Sequence, residues 1–177
     1  MCIRDSSYFN LNGHESGSIE GQVLQIFADA YTPVVDSSAI PTGEIASVEG
    51  TPMDFRTEKQ IGQDIRADFE QLHFTGGYDH NYVLGRPGEK KIMANAYCRE
   101  SGIALEAETD CYGVQFYAGN FIGEQTGKGG AAYHDRSAFC LESQFYPNAV
   151  NEPDFPSPVV KAGHTYHTET SYRFYLR

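Results

Sequence analysis

The sequence has few of the features that mark membrane, secreted or metal-binding proteins. Its 177 residues contain no tryptophan, only four cysteines and no apolar run near the roughly 20 residues that span a bilayer. "MCIRDSSYFN" also has no apolar segment typical of a signal peptide. The cysteines are far apart, without a Cys-x-x-Cys pair: Cys2, Cys98, Cys111 and Cys140. This spacing predicts buried or idle thiols in a reducing compartment, so we expect a cytoplasmic protein.

Positive charge is also scarce. The chain carries 13 Lys and Arg against 24 Asp and Glu, a net charge of −11 at pH 7. A field of that sign opposes binding to phosphate backbones and anionic membranes, so neither nucleic acid nor a membrane is an expected partner. The sequence has no phosphate loop, no Gly-x-Ser-x-Gly motif and no useful Cys/His spacing. It also lacks linkers and internal repeats, which favours one domain.

Strand patterns dominate what is present. The segment "QVLQIFADAY" (22–31) alternates apolar and polar residues and is predicted as one strand. "KKIMANAYCRESGIALEAETD" (90–110) is predicted as a hairpin that turns at Gly102, while "YGVQFYAGNF", "SAFCLESQFY" and "TSYRFYLR" are further strand candidates. Only "DFRTEKQIGQDI" (54–65) and "RADFEQL" (66–72) have helical patterns. Many short strands separated by Gly/Pro-rich turns predict an all-β antiparallel sandwich or barrel.

One carboxylate stands inside an apolar strand pattern. In "SAFCLESQFY", Glu142 shares a face with Cys140 and Gln144, because successive residues of a strand alternate between faces. Partial desolvation there would raise the pKa of the carboxyl group, which suits a general base near neutral pH. The alternative is a solvent-facing glutamate on a half-exposed strand.

Two other segments concentrate polar groups. Gln115 and Tyr117 of "YGVQFYAGNF" share a face, where an amide beside a phenol can bind hydroxyl groups or simply form surface. "GGYDHNYVLG" brings together four donors and acceptors at a loop–strand junction: Asp79, His80, Asn81 and Tyr82. Binding groups are frequent at such junctions, although Asx turns use the same residue types.

Taken together, the segments resemble the aldose 1-epimerase (galactose mutarotase) family. The matching pieces run in the family's order: "SYFNLNGHESG", "IFADAYTPVVDSSAIPTGEIASVEGTPMDF", "GGYDHNYVL", "ESGIALEAETDCYGVQFYAGNF", "AFCLESQFYPNAVNEPDFPSP" and "AGHTYHTETSYRF". The resemblance implies an antiparallel β-supersandwich with a sugar cleft across one sheet. It also implies interconversion of the α and β anomers of free aldoses such as glucose and galactose, without metal or organic cofactor.

The resemblance assigns roles to particular positions. "FCLESQ" resembles the motif of the general base, which implies this role for Glu142. "YDHNY" and "GVQFYAGN" imply sugar contacts for Asp79 and Gln115, and "SYFNL" adds Ser7 and Tyr8 as substrate-binding candidates. The family's acid is a histidine immediately before "SYFNL", and that position is Ser6 here. A serine hydroxyl cannot replace imidazole as an acid near neutral pH.

Family members are roughly twice as long, so the resemblance predicts a C-terminal half. Residues 7–177 would be the C-terminal part of one sandwich domain, incomplete at its N-terminal side, and 1–6 an artefact or non-native leader. If another segment precedes Ser7, export remains an alternative to the cytoplasm. The expected chain is a poorly active epimerase lacking the upstream Arg and His contacts.

The alternatives are a non-catalytic carbohydrate-binding module, a hexose-6-phosphate 1-epimerase, or a glycoside hydrolase using Glu142 with Asp79. The preferred aldose and the oligomeric state are left open.

Overall fold

The computed structural model describes residues 6–177, and their regular structure is almost entirely antiparallel strand. The twelve strands are β1 Val23–Ile26, β2 Ala30–Thr32, β3 Ala46–Ser47, β4 Lys59–Gln60, β5 Asp79–Val83, β6 Lys91–Tyr97, β7 Ile103–Thr109, β8 Gly113–Tyr117, β9 Gln125–Thr126, β10 Ala132–Tyr133, β11 Cys140–Gln144 and β12 Thr170–Leu176. One α-helix, α1, spans Glu70–Thr75, and a 3-10 turn spans Lys128–Gly130. The all-β prediction is confirmed. The interpretation of 1–6 as a leader concerns, apart from Ser6, residues outside the described range.

The strands form two five-stranded sheets that enclose one core. The first sheet has the order β12-β7-β6-β1-β4, the second sheet has the order β11-β8-β5-β2-β3, and β9 and β10 pair separately. The core draws apolar side chains from both sheets, with the rings of Phe55, Tyr78 and Phe116 in mutual contact. The sheets are also joined directly, because the Tyr172 hydroxyl donates to the Leu141 carbonyl at 2.7 Å. This packing is a sandwich, as predicted.

The predicted hairpin forms in the first sheet. β6 and β7 pair antiparallel up to Tyr97 and Ala104, and Gly102 in the turn has φ +70°. The first arm does not follow a simple alternation of faces along its whole length. A bulge between Ile92 and Ala94 shifts the register, so that Ile92 is exposed while Met93 and Ala94 are both buried. A bulge inserts an extra residue into one strand, which reverses the faces beyond it.

The prediction of one strand over 22–31 is wrong. β1 ends at Ile26 and belongs to the first sheet, whereas β2 begins at Ala30 and belongs to the second. The apolar alternation continues through the link, where Ala28 is buried while Phe27 is exposed. The strands to which the backbone hydrogen-bonds change within the three residues between β1 and β2. A hydrophobic pattern cannot predict this change, because the alternation is the same on both sides of it. This link carries the chain from one layer of the sandwich to the other.

The helix predicted over 54–65 is also wrong. Arg56 and Asp54 form a local turn in which the Arg56 guanidinium donates to both carboxylate oxygens, at 3.0 and 2.7 Å. The following β4 pairs with β1 instead of continuing a helix. Pairing with another part of the chain here outweighs a weak helical preference. The second predicted helix is partly correct, since α1 spans Glu70–Thr75 and is capped by Gly76, which has φ +64°.

The thiols described by the structure agree with the prediction from their spacing. Cys98, Cys111 and Cys140 are free and buried, while Cys2 lies outside the described residues. Within 6–177, α1 is only six residues long, and no helix has the length and apolar character to cross a bilayer.

Candidate active site

Three neighbouring strands of the second sheet place polar side chains on one face. Gln115 of β8 lies opposite Glu142 of β11 on one side and opposite Asn81 of β5 on the other. Asp79, two residues before Asn81, therefore shares this face, because side chains of a strand alternate. The other face enters the core through residues such as Phe116. The fold thus brings together Asp79, Gln115 and Glu142, which are far apart in sequence.

Glu142 is an enclosed carboxylate on this face. Only 5% of the residue is exposed, and the Ser6 hydroxyl donates to its Oε1 at 2.5 Å. Burial raises the pKa of the Glu142 carboxyl group, and the nearby Asp79 charge adds to the increase, while the Ser6 hydrogen bond opposes it. A carboxylate with a raised pKa is a better proton acceptor near neutral pH. The alternative of a solvent-facing glutamate is therefore wrong.

Asp79 and Gln115 form a hydrogen-bonded pair beside Glu142. Gln115 Nε2 donates to Asp79 Oδ1 at 2.7 Å. Burial raises the pKa of Asp79, and the hydrogen bond from Gln115 partly offsets this effect because it favours the charged form. The pair places an amide and a carboxylate side by side on this face.

Two tyrosines border the same face. The rings of Tyr8 and Tyr117 meet edge to face with centroids 6.3 Å apart, and the Tyr117 hydroxyl accepts from the Phe121 amide at 2.9 Å. Tyr8 is 57% exposed, and the partial burial of its hydroxyl end raises its pKa, as do the nearby acidic groups of Cys140, Glu142 and Asp79. Tyr8 therefore stays a neutral phenol that can donate a hydrogen bond. Ser7, the other candidate from this segment, is exposed beside it.

A cavity of about 470 Å³ lies next to Tyr8 but does not include the carboxylates. Its lining is largely apolar and contains Phe9, Leu11, Ile122 and Phe174. The cavity is also lined by His14 and Tyr133, but Glu142 and Asp79 lie outside it, so we place the candidate site on the sheet face that carries both carboxylates.

Two further amides of this face are buried: Gln144, to which the sequence assigned no role, and Asn81, which it marked only as one of four polar groups in a possible binding segment. Gln144 Nε2 donates both to Asn81 Oδ1 at 3.0 Å and to Gln115 Oε1 at 2.9 Å. Their signal in the sequence was only the alternation with Glu142 and Asp79. His80, from the same polar segment as Asn81, points instead into the core, and burial lowers its pKa to about 4.

The raised pKa of Glu142 predicts a stability cost that grows with pH. Unfolded glutamate has a pKa near 4.5, and the folded-state pKa lies above it, so the folded state binds the proton more tightly. Stability is therefore lost as pH rises from 4.5 through the folded-state pKa. We expect Glu142→Gln to gain free energy of unfolding relative to the unaltered chain between pH 4 and pH 7, as measured by urea denaturation. Glu124→Gln, at an exposed position, is the control. A difference in free energy of unfolding between Glu142→Gln and the unaltered chain that stays constant or decreases with pH would contradict the prediction.

Comparison with known proteins gives one consistent result. A model of the aldose 1-epimerase family matches residues 6–173. Galactose mutarotase from Sus scrofa is 43% identical over 173 residues, covering 97% of this chain and 49% of the relative. Aldose 1-epimerase from Escherichia coli K12 is 38% identical over 170 residues, covering 94% and 48%. The chain thus spans about half the length of the curated relatives it matches.

Solved structures agree with this at the level of the fold. An aldose epimerase homologue from C. elegans superposes with a TM-score of 0.78 at 28% identity, covering 96% of this chain and 49% of that structure. Galactose 1-epimerase from Lactobacillus acidophilus has a TM-score of 0.67 at 24% identity, over 96% and 47%. The family model spans nearly all the described residues, including the face that carries Asp79, Gln115 and Glu142. The chain therefore belongs to the aldose 1-epimerase family.

Proposed function

We propose that the function of this protein is that of an aldose 1-epimerase, which interconverts the α and β anomers of free hexoses such as glucose and galactose. The observation that carries the proposal is the desolvated Glu142 carboxylate beside the Asp79–Gln115 pair on one sheet face. The names of its relatives, galactose mutarotase and aldose 1-epimerase, support the same reaction. The free buried thiols support a cytoplasmic location as part of the proposal.

Glu142 would act as the general base. Its carboxylate accepts the proton of the anomeric hydroxyl, the anomeric C–O bond to the ring oxygen breaks, and an acid protonates that oxygen. The aldehyde then rotates about its bond to the next carbon, and ring closure on the other face returns both protons. Asp79 and Gln115 would hold sugar hydroxyls during these steps, with Ser7 and Tyr8 as further contacts. Holding the ring in place makes both proton transfers local events.

This chain has a serine at the position where the family resemblance implies the acid. Ser6 contacts Glu142 at the position where the family resemblance implies a histidine. General acid catalysis contributes about 10²–10⁴-fold, and a serine hydroxyl does not supply it near pH 7. The 177 residues also span only about half the length of their relatives. We therefore propose that the isolated chain is a poor catalyst, although it carries the base.

Polarimetry of freshly dissolved α-D-galactose or α-D-glucose tests this proposal. We expect the purified 177-residue chain to change the rotation at a rate close to that of buffer. Glu142→Gln is the matched control. A rate far above buffer that is lost in Glu142→Gln would contradict the low activity while supporting the role of Glu142.

A non-catalytic carbohydrate-binding module is the second candidate, and Ser6 in place of an acid is the observation that favours it. Binding of D-galactose without turnover, persisting when Ser6 becomes histidine, would support it. A hexose-6-phosphate epimerase is disfavoured because β5, β8 and β11 contain no Lys or Arg to pair with phosphate. Release of an aryl alcohol from an aryl galactoside would instead indicate a glycoside hydrolase.

A further inference from the structure

Gln144 lies beside the candidate site, two residues after Glu142 and on the same face of β11. It is only 1% exposed. Its side-chain nitrogen carries two hydrogens, and both are used, one on Asn81 Oδ1 and one on Gln115 Oε1. Since both partners are carbonyl oxygens, only the nitrogen of Gln144 can face them.

Gln144 begins a series of two hydrogen bonds that ends at the Asp79 carboxylate. Gln144 donates to Gln115 Oε1, and Gln115 Nε2 donates in turn to Asp79 Oδ1. An ionised carboxylate can only accept, so Asp79 holds the nitrogen end of the Gln115 amide. Gln144 holds its oxygen end. The Gln115 amide is thus fixed at both ends, and the reversed orientation would lose both hydrogen bonds.

We propose that Gln144 is a positioning residue of the sugar site, which holds the Gln115 amide in the orientation that presents an N–H beside Asp79 to the substrate. This inference rests on the proposed function. One Nε2 hydrogen of Gln115 points to Asp79 and its oxygen accepts from Gln144, which leaves the second N–H for a ligand. That N–H stands beside the Asp79 carboxylate. The pair therefore recognises two neighbouring hydroxyls of a neutral sugar, one accepting from Gln115 and one donating to Asp79.

The first test measures the Asp79 carboxyl pKa by ¹³C NMR without sugar. The Gln115 hydrogen bond lowers that pKa, so freeing the amide should raise it. We expect Gln144→Met and Gln115→Met each to raise the pKa, and the double variant to exceed Gln115→Met by little, because both act through one bond. Ser143→Ala is the matched control, since Ser143 bonds to Thr170 on the opposite face. An unchanged Asp79 pKa in Gln144→Met beside a raised one in Gln115→Met would overturn the proposal.

A second measurement needs no substitution, in case Gln144→Met does not fold. In the unaltered chain, exchange of the Gln144 side-chain amide hydrogens should be much slower than that of an exposed glutamine such as Gln125. Equal exchange rates for the two side chains would show that Gln144 does not donate these hydrogen bonds and would overturn the proposal.

Measurements of D-galactose binding test the positioning role of Gln144 separately from the proposed sugar function. We expect Gln144→Met to weaken galactose binding to the 177-residue chain about five- to tenfold, the effect of one hydrogen bond, with Ser143→Ala unchanged. Galactose that binds equally well to Gln144→Met, with an unchanged Asp79 pKa, would overturn the positioning role but not the sugar function. A chain that does not bind galactose at all would overturn the sugar assignment. It would do so even if Gln144→Met still raised the pKa of Asp79.

Discussion

Ser6→His is expected to raise the rate of catalysed mutarotation at pH 7 by about 10²-fold or more over the unaltered chain, the usual contribution of a general acid. The physical reason is local. Ser6 already contacts the Glu142 carboxylate, so an imidazole at this position would stand beside the base. Imidazole exchanges a proton near neutral pH, whereas a serine hydroxyl does not. Polarimetry with α-D-galactose measures the change between two chains that differ at one residue.

Two further variants show whether the gain comes from proton transfer. Ser6→Asn can hydrogen-bond to Glu142 but cannot titrate, so its rate should stay at that of the unaltered chain. Glu142→Gln added to Ser6→His should remove the gain, because the acid and the base act on the same ring. A folded Ser6→His chain with no increase in rate would show that an acid at this position is not what limits catalysis.

Phe116→Ala is expected to reduce the free energy of unfolding by about 3–5 kcal/mol, the usual cost of deleting a buried aromatic ring. Phe116 is fully buried, and its ring centroid lies 5.3 Å from Tyr78 and 5.5 Å from Phe55. Removing the ring leaves a cavity between the sheets directly behind Gln115. Because small proteins are stable by only about 5–15 kcal/mol, this loss is a large share of the total. Urea denaturation followed by circular dichroism measures it.

Phe121→Ala provides the matched control for this substitution. Phe121 is 69% exposed, so the same deletion there removes little buried surface and should cost under about 1 kcal/mol. Similar losses for the two variants would show that the ring of Phe116 does not have the packing role described here.

Local patterns predicted the fold class and the hairpin, but they could not predict which sheet each strand joins. The alternation from Gln22 to Tyr31 is the same whether the chain stays in one sheet or crosses to the other, and here it crosses. The segment 54–65 shows the converse error, because β4 is held by pairing with β1, a partner that a local pattern does not contain.

Alternation likewise placed Glu142 and Gln144 on one face of β11, and the structure agrees. It could not predict that Gln144 reaches Gln115 and Asn81, because that depends on the register of three strands. The pKa directions of Glu142 and Asp79 also depend on burial created by distant segments. The residue types of the site could therefore be read from the sequence. The hydrogen bonds between them could be assigned only once the register of the three strands was known.

The hydrogen bonds between the two layers have a consequence for the order of folding. β12 pairs with β7 across 61 residues, from Thr109 to Thr170, and the same Thr170 meets Ser143 of β11 at 2.5 Å. Closing so long a loop is entropically slow, and contacts that depend on it form late. The links that tie β11 to the first sheet, from Ser143 to Thr170 and from Tyr172 to Leu141, therefore form only after β12 has docked. The pairing of β11 with β8, which sets Glu142 opposite Gln115, needs no contact from β12, so the polar face can assemble before the two layers are joined there.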